Sequence, residues 1–225
     1  MFSAGSSPYS VAVGDFNEDG HLDIVTVSQD HDTVVVLFGN GLGSFQPQTE
    51  FSAGADPLGV AVGDFNEDSH LDIVVTNGND NSIAFTVGVG PIDIAVGDFN
   101  GDGHLDAVAV NSVSNSVSVL LGNGLGSFLP QAAFLVGSNP SRVAVGDFNR
   151  DGHPDIVATS SSTNSVSVLI GNGLGSFQSQ AISPVGTSPI GVAVGDFNED
   201  SYLDIVTANS DASSLSILFG KPCDT

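Results

Sequence analysis

Apolar residues in this chain come in short runs separated by polar, glycine-rich stretches. Val11-Ala12-Val13-Gly14 runs into a polar loop, Asp23 to Val27 leaves it, Val34 to Phe38 follows, and Phe45 to Phe51 comes last. The runs are rich in Val, Ile and Phe, and no apolar stripe of helical period lies between them, so each unit predicts four β-strands and almost no helix. Phe38 to Phe45 (FGNGLGSF), with its copies at 121 to 128 and 170 to 177, carries an Asn-Gly turn with positive φ and predicts the hairpin between third and fourth strands. The first strand, Val-Ala-Val-Gly, is small enough for a crowded axis. The last carries Pro47 or Pro130 within it and reads as an outer edge, where a missing N–H is tolerated. The pattern predicts an all-β protein, a β-propeller of about five blades.

The unit recurs. GDFNEDGHLD from Gly14 returns as GDFNEDSHLD from Gly63, GDFNGDGHLD from Gly97, GDFNRDGHPD from Gly146 and GDFNEDSYLD from Gly195. The first aspartates stand at 15, 64, 98, 147 and 196, so three intervals are 49 residues and one is 34. Periods of this size belong to propellers and solenoids, whose units bury their apolar faces only against neighbours. We read residues 1–225 as one domain, with repeats near 6–54, 55–88, 89–137, 138–186 and 187–225. The second repeat lacks the hairpin, and the fifth stops where its fourth strand would begin. These edges, around Ser82 to Phe85 and Leu215 to Phe219, are expected to pair with another copy or to be covered locally by 85–90; Phe2 to Gly5 is an alternative partner that would close a five-membered ring.

Between the first and second strands lies a loop of hard oxygen donors, expected to hold Ca²⁺ in up to five sites. The ligands are Asp15, Asn17, Asp19, His21 and Asp23; Asp64, Asn66, Asp68, His70 and Asp72; Asp98, Asn100, Asp102, His104 and Asp106; Asp147, Asn149, Asp151, His153 and Asp155; and Asp196, Asn198, Asp200, Tyr202 and Asp204. The His and Tyr positions contribute backbone carbonyls, and their side chains point outward or pack. An EF-hand is excluded, because position 12 is never Glu and no helices flank the loop. Gly20, Gly103 and Gly152 suit a positive φ at position 6, where Ser69 and Ser201 make weaker sites. The alternative reading is that the aspartates only cap turns through Asx hydrogen bonds.

The 26 acidic residues against three basic ones give a formal charge of −23. That argues against nucleic acid as a partner. Fifteen of the acids are loop aspartates, so five Ca²⁺ would bring the charge to −13. The lone Cys223 excludes an internal disulfide framework. No stretch reaches membrane-spanning length, so no membrane insertion is expected, and no signal peptide is read in MFSAGSSPYS.

VAVGDFNEDGHLDIV followed by VLFGNGLGSFQPQ resembles the FG-GAP or VCBS-type repeat, related to the calcium-bearing blades of the integrin α-subunit. Phe38-Gly39 and Phe219-Gly220 keep the FG, while Leu121-Gly122 and Ile170-Gly171 depart from it, placing the chain nearer the VCBS-like group. The resemblance implies calcium loops on one face and ligands taken by loops on the opposite face, here 28–33, 76–82 and 159–165 with the turns at Pro57, Pro91, Pro140 and Pro189. It implies an extracellular or cell-surface, non-catalytic module for adhesion or for binding a protein or glycan. A lectin, part of a carbohydrate-active enzyme, and a structural spacer are the alternatives. No nucleophile elbow or phosphate loop is present.

Overall fold

The computed structural model describes residues 2–80 and 87–221. They fold into small antiparallel sheets. The first is β1 (Pro8–Gly14), β2 (Asp23–Ser28), β3 (Thr33–Leu37) and β4 (Thr49–Ser52), in that order. The second pairs β5 (Pro57–Gly63) with β6 (Asp72–Asn77). The third holds β7 (Pro91–Gly97), β8 (Asp106–Asn111), β9 (Ser116–Leu120) and β10 (Ala132–Leu135); the fourth, β11 (Pro140–Gly146), β12 (Asp155–Ser160), β13 (Ser165–Leu169) and β14 (Ala181–Pro184). The fifth is β15 (Pro189–Gly195), β16 (Asp204–Asn209) and β17 (Ser214–Leu218). Apart from one 3₁₀ turn, Gln29–His31, no helix occurs among the described residues.

Each sheet starts at a proline. Pro8, Pro57, Pro91, Pro140 and Pro189 open the first strands, and the residues before them, Ser7, Asp56, Gly90, Asn139 and Ser188, all have positive φ. The carbonyl before each proline accepts an N–H from the loop after the second strand, as Asp56 does from Gly78 at 2.8 Å. This fixes the entry of every sheet against its own second strand.

First strands pack side by side, β1 against β5, β5 against β7, β7 against β11, and β11 against β15. Fourth strands are exposed and outermost, with Pro47 falling just before β4 rather than within it. The core consists of layers between neighbouring sheets. Val25, Val27, Val34 and Val36 of the first sheet meet Val60 of the second, and Val108, Val110, Val117 and Val119 of the third meet Val143, Ile156 and Leu169 of the fourth. Burying a Val or Ile side chain contributes about 1.5–3 kcal/mol, so these layers dominate stability.

Two expectations are corrected. The run from Phe45 to Phe51 is not one strand: Phe45 makes an isolated bridge to Gly39, and regular pairing begins only at Thr49. Asn40 explains this, because its side-chain oxygen takes the N–H groups of Leu42 and Ser44 and holds the intervening chain in a wider loop. The second correction concerns closure. Phe2 to Gly5 does not extend the fifth sheet: β17 pairs only with β16 among the described residues, and β15 shows no packing against β1 like that between other first strands. Phe2 instead packs edge-on against Phe45, 5.2 Å between ring centroids, and Ser6 bonds the Ser28 hydroxyl. The expected edge at Ser82 to Phe85, residues 85 and 86 of its local cover, and Cys223 lie outside the described residues; Val87 is buried in the layer between the second and third sheets.

Candidate metal centre

All five acidic loops join the first strand of a sheet to its second, and their geometry repeats closely. In the first loop Asp15 accepts the N–H of Asp19 on one oxygen, at 3.1 Å, and that of Gly20 on the other, at 2.8 Å. Asn17 donates its amide to Asp19 at 3.0 Å, and Asp19 accepts the N–H of His21 at 2.9 Å. The same bonds recur from Asp64, Asp98, Asp147 and Asp196. Positions 1, 3 and 5 are therefore tied by the Asx hydrogen bonds that the turn-capping alternative requires.

Position 9 has a separate role. Asp23 is fully buried, and its two oxygens accept the N–H of Phe16 at 2.9 Å and of Gly39 at 2.7 Å. Asp106, Asp155 and Asp204 make both bonds in their own sheets, to Phe99 and Gly122, Phe148 and Gly171, and Phe197 and Gly220. Asp72 makes the first of them, to Phe65 at 3.0 Å. The third aspartate thus pins the loop to the far end of the third strand. Burial pushes the Asp106 carboxyl up to about 6 against the pull of its two N–H donors, with Asp102 and Asp98 adding repulsion. Asp155 is raised for the same reasons. Asp68 and Asp102 are held below the usual carboxylate range by the N–H of His70 and His104.

Two residues per loop adopt the left-handed conformation. Position 6 has φ of 82° at Gly20 and 84° at Gly152, and Ser69 and Ser201 take the same turn at 71° and 70°. Position 4, which the sequence did not single out, is also left-handed at Glu18, Glu67, Gly101, Arg150 and Glu199.

Position-7 side chains pack under their own hairpins, reach a neighbouring loop, or do both. The imidazole of His21 lies against Gly41, as those of His104 and His153 do against Gly124 and Gly173, where a Cβ would collide. His70 binds Glu18 of the preceding loop, His104 binds Glu67, and Tyr202 stacks under the Arg150 guanidinium at 4.9 Å. Position 4 of one loop therefore meets position 7 of the next at three junctions; at the remaining one position 4 is Gly101, which has no side chain to offer His153. The Glu18 and Glu67 carboxylates raise the pKa of His70 and His104.

The donor chemistry fits Ca²⁺: each loop gathers carboxylate, amide and carbonyl oxygens within ten residues and offers no sulfur. No group of three His, Cys, Asp or Glu side chains among the described residues stands ready as a metal cage. The carboxylates at positions 1, 5 and 9 are instead turned toward backbone N–H groups. Position 9 could ligate only through lone pairs left by its two hydrogen bonds.

On the opposite end, Asp32, Asn115 and Asn164 each accept the N–H of the pre-proline residue of the following sheet, Asp56, Asn139 and Ser188. A crevice there between the second and third sheets is lined by Asp56, Leu58, Asn79, Val89, Ile92 and Val113. Among the described residues no helix is long and apolar enough to cross a membrane.

A family model described as FG-GAP-like repeat matches residues 15–75, 98–158 and 147–207. No curated protein matches the sequence. Solved structures with similar, propeller-like folds include a functionally unknown protein from Desulfotomaculum acetoxidans, 14% identical at a TM-score of 0.64, over 99% of this chain and 74% of that one. The V. cholerae biofilm matrix protein Bap1 is 22% identical at 0.55, over 84% of this chain and 31% of its own. An Agrocybe aegerita lectin that recognises non-reducing terminal N-acetylglucosamine is 20% identical at 0.51, over 94% and 66%.

Proposed function

Because this chain belongs to the FG-GAP-like repeat family, we propose that it is a calcium-binding β-propeller module, extracellular or on a cell surface, that binds a protein or glycan without catalysing a reaction. The observation that carries this reading is the fivefold recurrence of one oxygen-rich loop at one end of consecutive sheets. Turn capping needs only one or two side-chain oxygens per turn. The loops keep three carboxylates each; position 9 is satisfied by backbone N–H groups, but positions 1 and 5 add two further like charges to the same loop, which a cation would compensate. When bound, Ca²⁺ would supply that compensation and cross-link the loop. Positions 1, 3 and 5 would hold it with the position-7 carbonyl, and position 9 would anchor the loop base to the third strand.

The five sheets are then blades, and ligand binding falls to the end opposite the calcium loops, where the crevice between the second and third sheets offers a polar rim over Leu58, Ile92 and Val113. Lectin activity is the more specific form of this reading, and the fold shared with a lectin and a matrix protein is in keeping with it. Titration calorimetry with calcium tests the first half: no heat of binding at millimolar calcium rejects it. A glycan array and a cell-surface binding screen, both run in calcium, test the second, and silence in both reduces the module to a spacer.

A further inference from the structure

Inside this chain one interface is built four times. The leading face of each sheet, made by the position-2 Phe, the first-strand Ala and alternate residues of the second strand and, outside the two-stranded second sheet, of the third, meets the trailing face of the next sheet. Among the described residues the same interface is half-made on the fifth and the first sheet. On the leading face of the fifth sheet Leu215 and Ile217 are 69% and 49% exposed, although their counterparts Val34, Val117, Val36 and Val119 are almost wholly buried. On the trailing face of the first sheet Val11 and Val13 are 64% and 56% exposed, although Val60, Ile94 and Val143 in the place of Val11 are buried.

The finer contacts are unpaired in matching fashion. The position-8 leucines Leu71, Leu105 and Leu203 seat on Gly14, Gly63 and Gly146 of the preceding sheet; among the described residues the Leu22 side chain seats on no such glycine, and Gly195 meets only the ring of its own Phe197. The link between position 4 and position 7 is equally open, with an exposed Glu199 at one end and an exposed His21 at the other. The first sheet even carries its own bridging segment. Phe134 to Gly137 crosses the junction between third and fourth sheets with Phe134 at 5.2 Å and 76° to Phe177 and Gly137 against Ser160. Phe2 to Gly5 lies on the first sheet in the same way, with Phe2 at 5.2 Å and 78° to Phe45 and Gly5 against Ser28.

We propose that these two faces bind each other between copies, the fifth sheet of one chain seating on the first sheet of a second copy in the register of the internal junctions. The contact is heterologous, so it propagates head to tail unless the rotation closes. It uses faces rather than strand edges, and it does not depend on the calcium reading.

Sedimentation velocity on the whole chain, at low and high micromolar concentration in physiological salt, with calcium and again with chelator, tests this. The wild type should sediment faster as concentration rises in at least one of the two conditions. Val13→Asp and Ile217→Asp, each on an exposed position of one face and each checked for an unchanged melting temperature, should be monomeric alone. Mixed in equal amounts they should form a dimer and nothing larger, because each retains one intact face. Leu215→Asp and Val11→Asp are the second pair, to be used if either first variant is unstable. A wild type that stays monomeric in both conditions overturns the proposal, as does association that persists in either variant alone, which would point to pairing along β17.

Discussion

Leu71 seats its Cδ1 over Gly14, 2.5 Å from where a Cβ on that glycine would stand. The same contact joins Leu105 to Gly63, so the glycine that closes a first strand is the socket for the next sheet. Gly63→Ala should destabilise the protein by about 1–3 kcal/mol through overpacking. Gly195→Ala, which meets no leucine, should be neutral or slightly stabilising in the monomer, since alanine costs less backbone entropy in a strand. Urea denaturation of the two variants side by side checks the difference.

Chelation should lower the melting temperature. A cation bound only by the folded state stabilises by RT ln(1 + [Ca]/Kd), about 0.4–1.4 kcal/mol per independent site at millimolar calcium and extracellular-type affinity. Thermal unfolding with and without chelator measures it, and identical curves would count against calcium in the loops.

The loops should differ in strength. Ser69 and Ser201 hold a left-handed turn that costs a residue with a Cβ about 1–2 kcal/mol, whereas Gly20, Gly103 and Gly152 hold it freely. Ser69→Gly should tighten calcium at the second loop and raise stability, the two gains together amounting to about 1–2 kcal/mol. Site-resolved NMR titration reads the first and denaturation the second. The third loop, with Gly101 at position 4 and Gly103 at position 6, is the least strained and should fill first.

Asp155→Ala should be among the most damaging single changes. It strands the N–H groups of Phe148 and Gly171, both now bonded at 2.8 Å. Leaving two such donors unpaired costs about 2–6 kcal/mol. Asp155→Asn keeps one acceptor and should cost less, so the ratio of the two effects in a denaturation series separates hydrogen bonding from charge.

Asp93 carries a pH signature away from the loops. Burial raises its pKa above 3.8, against the Val143 N–H that it accepts at 2.9 Å and the nearby Arg142. A carboxyl raised in the folded state contributes stability that is full below its unfolded pKa and is lost as pH rises through the folded one. Asp93→Asn should therefore raise the melting temperature at pH 7, with the gain fading as pH falls toward 4. A gain that does not depend on pH would exclude ionisation of Asp93 as its cause.

The five-sheet plan was legible because Val-Ala-Val-Gly, or Ile-Ala-Val-Gly in the third unit, and the Asp-x-Asn-x-Asp loop punctuate every unit, and strand ends followed to within a few residues. The fourth strand was misjudged because Phe45 looks like strand material, while the deciding group is the Asn40 side chain, whose capture of two backbone N–H groups is not a matter of hydropathy. The loop residues were found by spacing alone. What spacing could not distinguish is that position 9 faces inward as a pin to the third strand while position 1 is mostly half-buried and position 5 stays exposed, since all are Asp. The glutamate at position 4 was not singled out, because its partner at position 7 belongs to another repeat and no local pattern links them.

The socket made by Gly63 and its equivalents also bears on how such a chain changes over generations. Every internal junction uses nearly the same residues, so a duplicated 49-residue unit arrives with both its donor and its acceptor surface already cut to fit. Unequal crossing-over within the gene would then lengthen or shorten the protein without a new interface having to be invented. Copy number becomes a trait that drifts more freely than any residue in the junction itself.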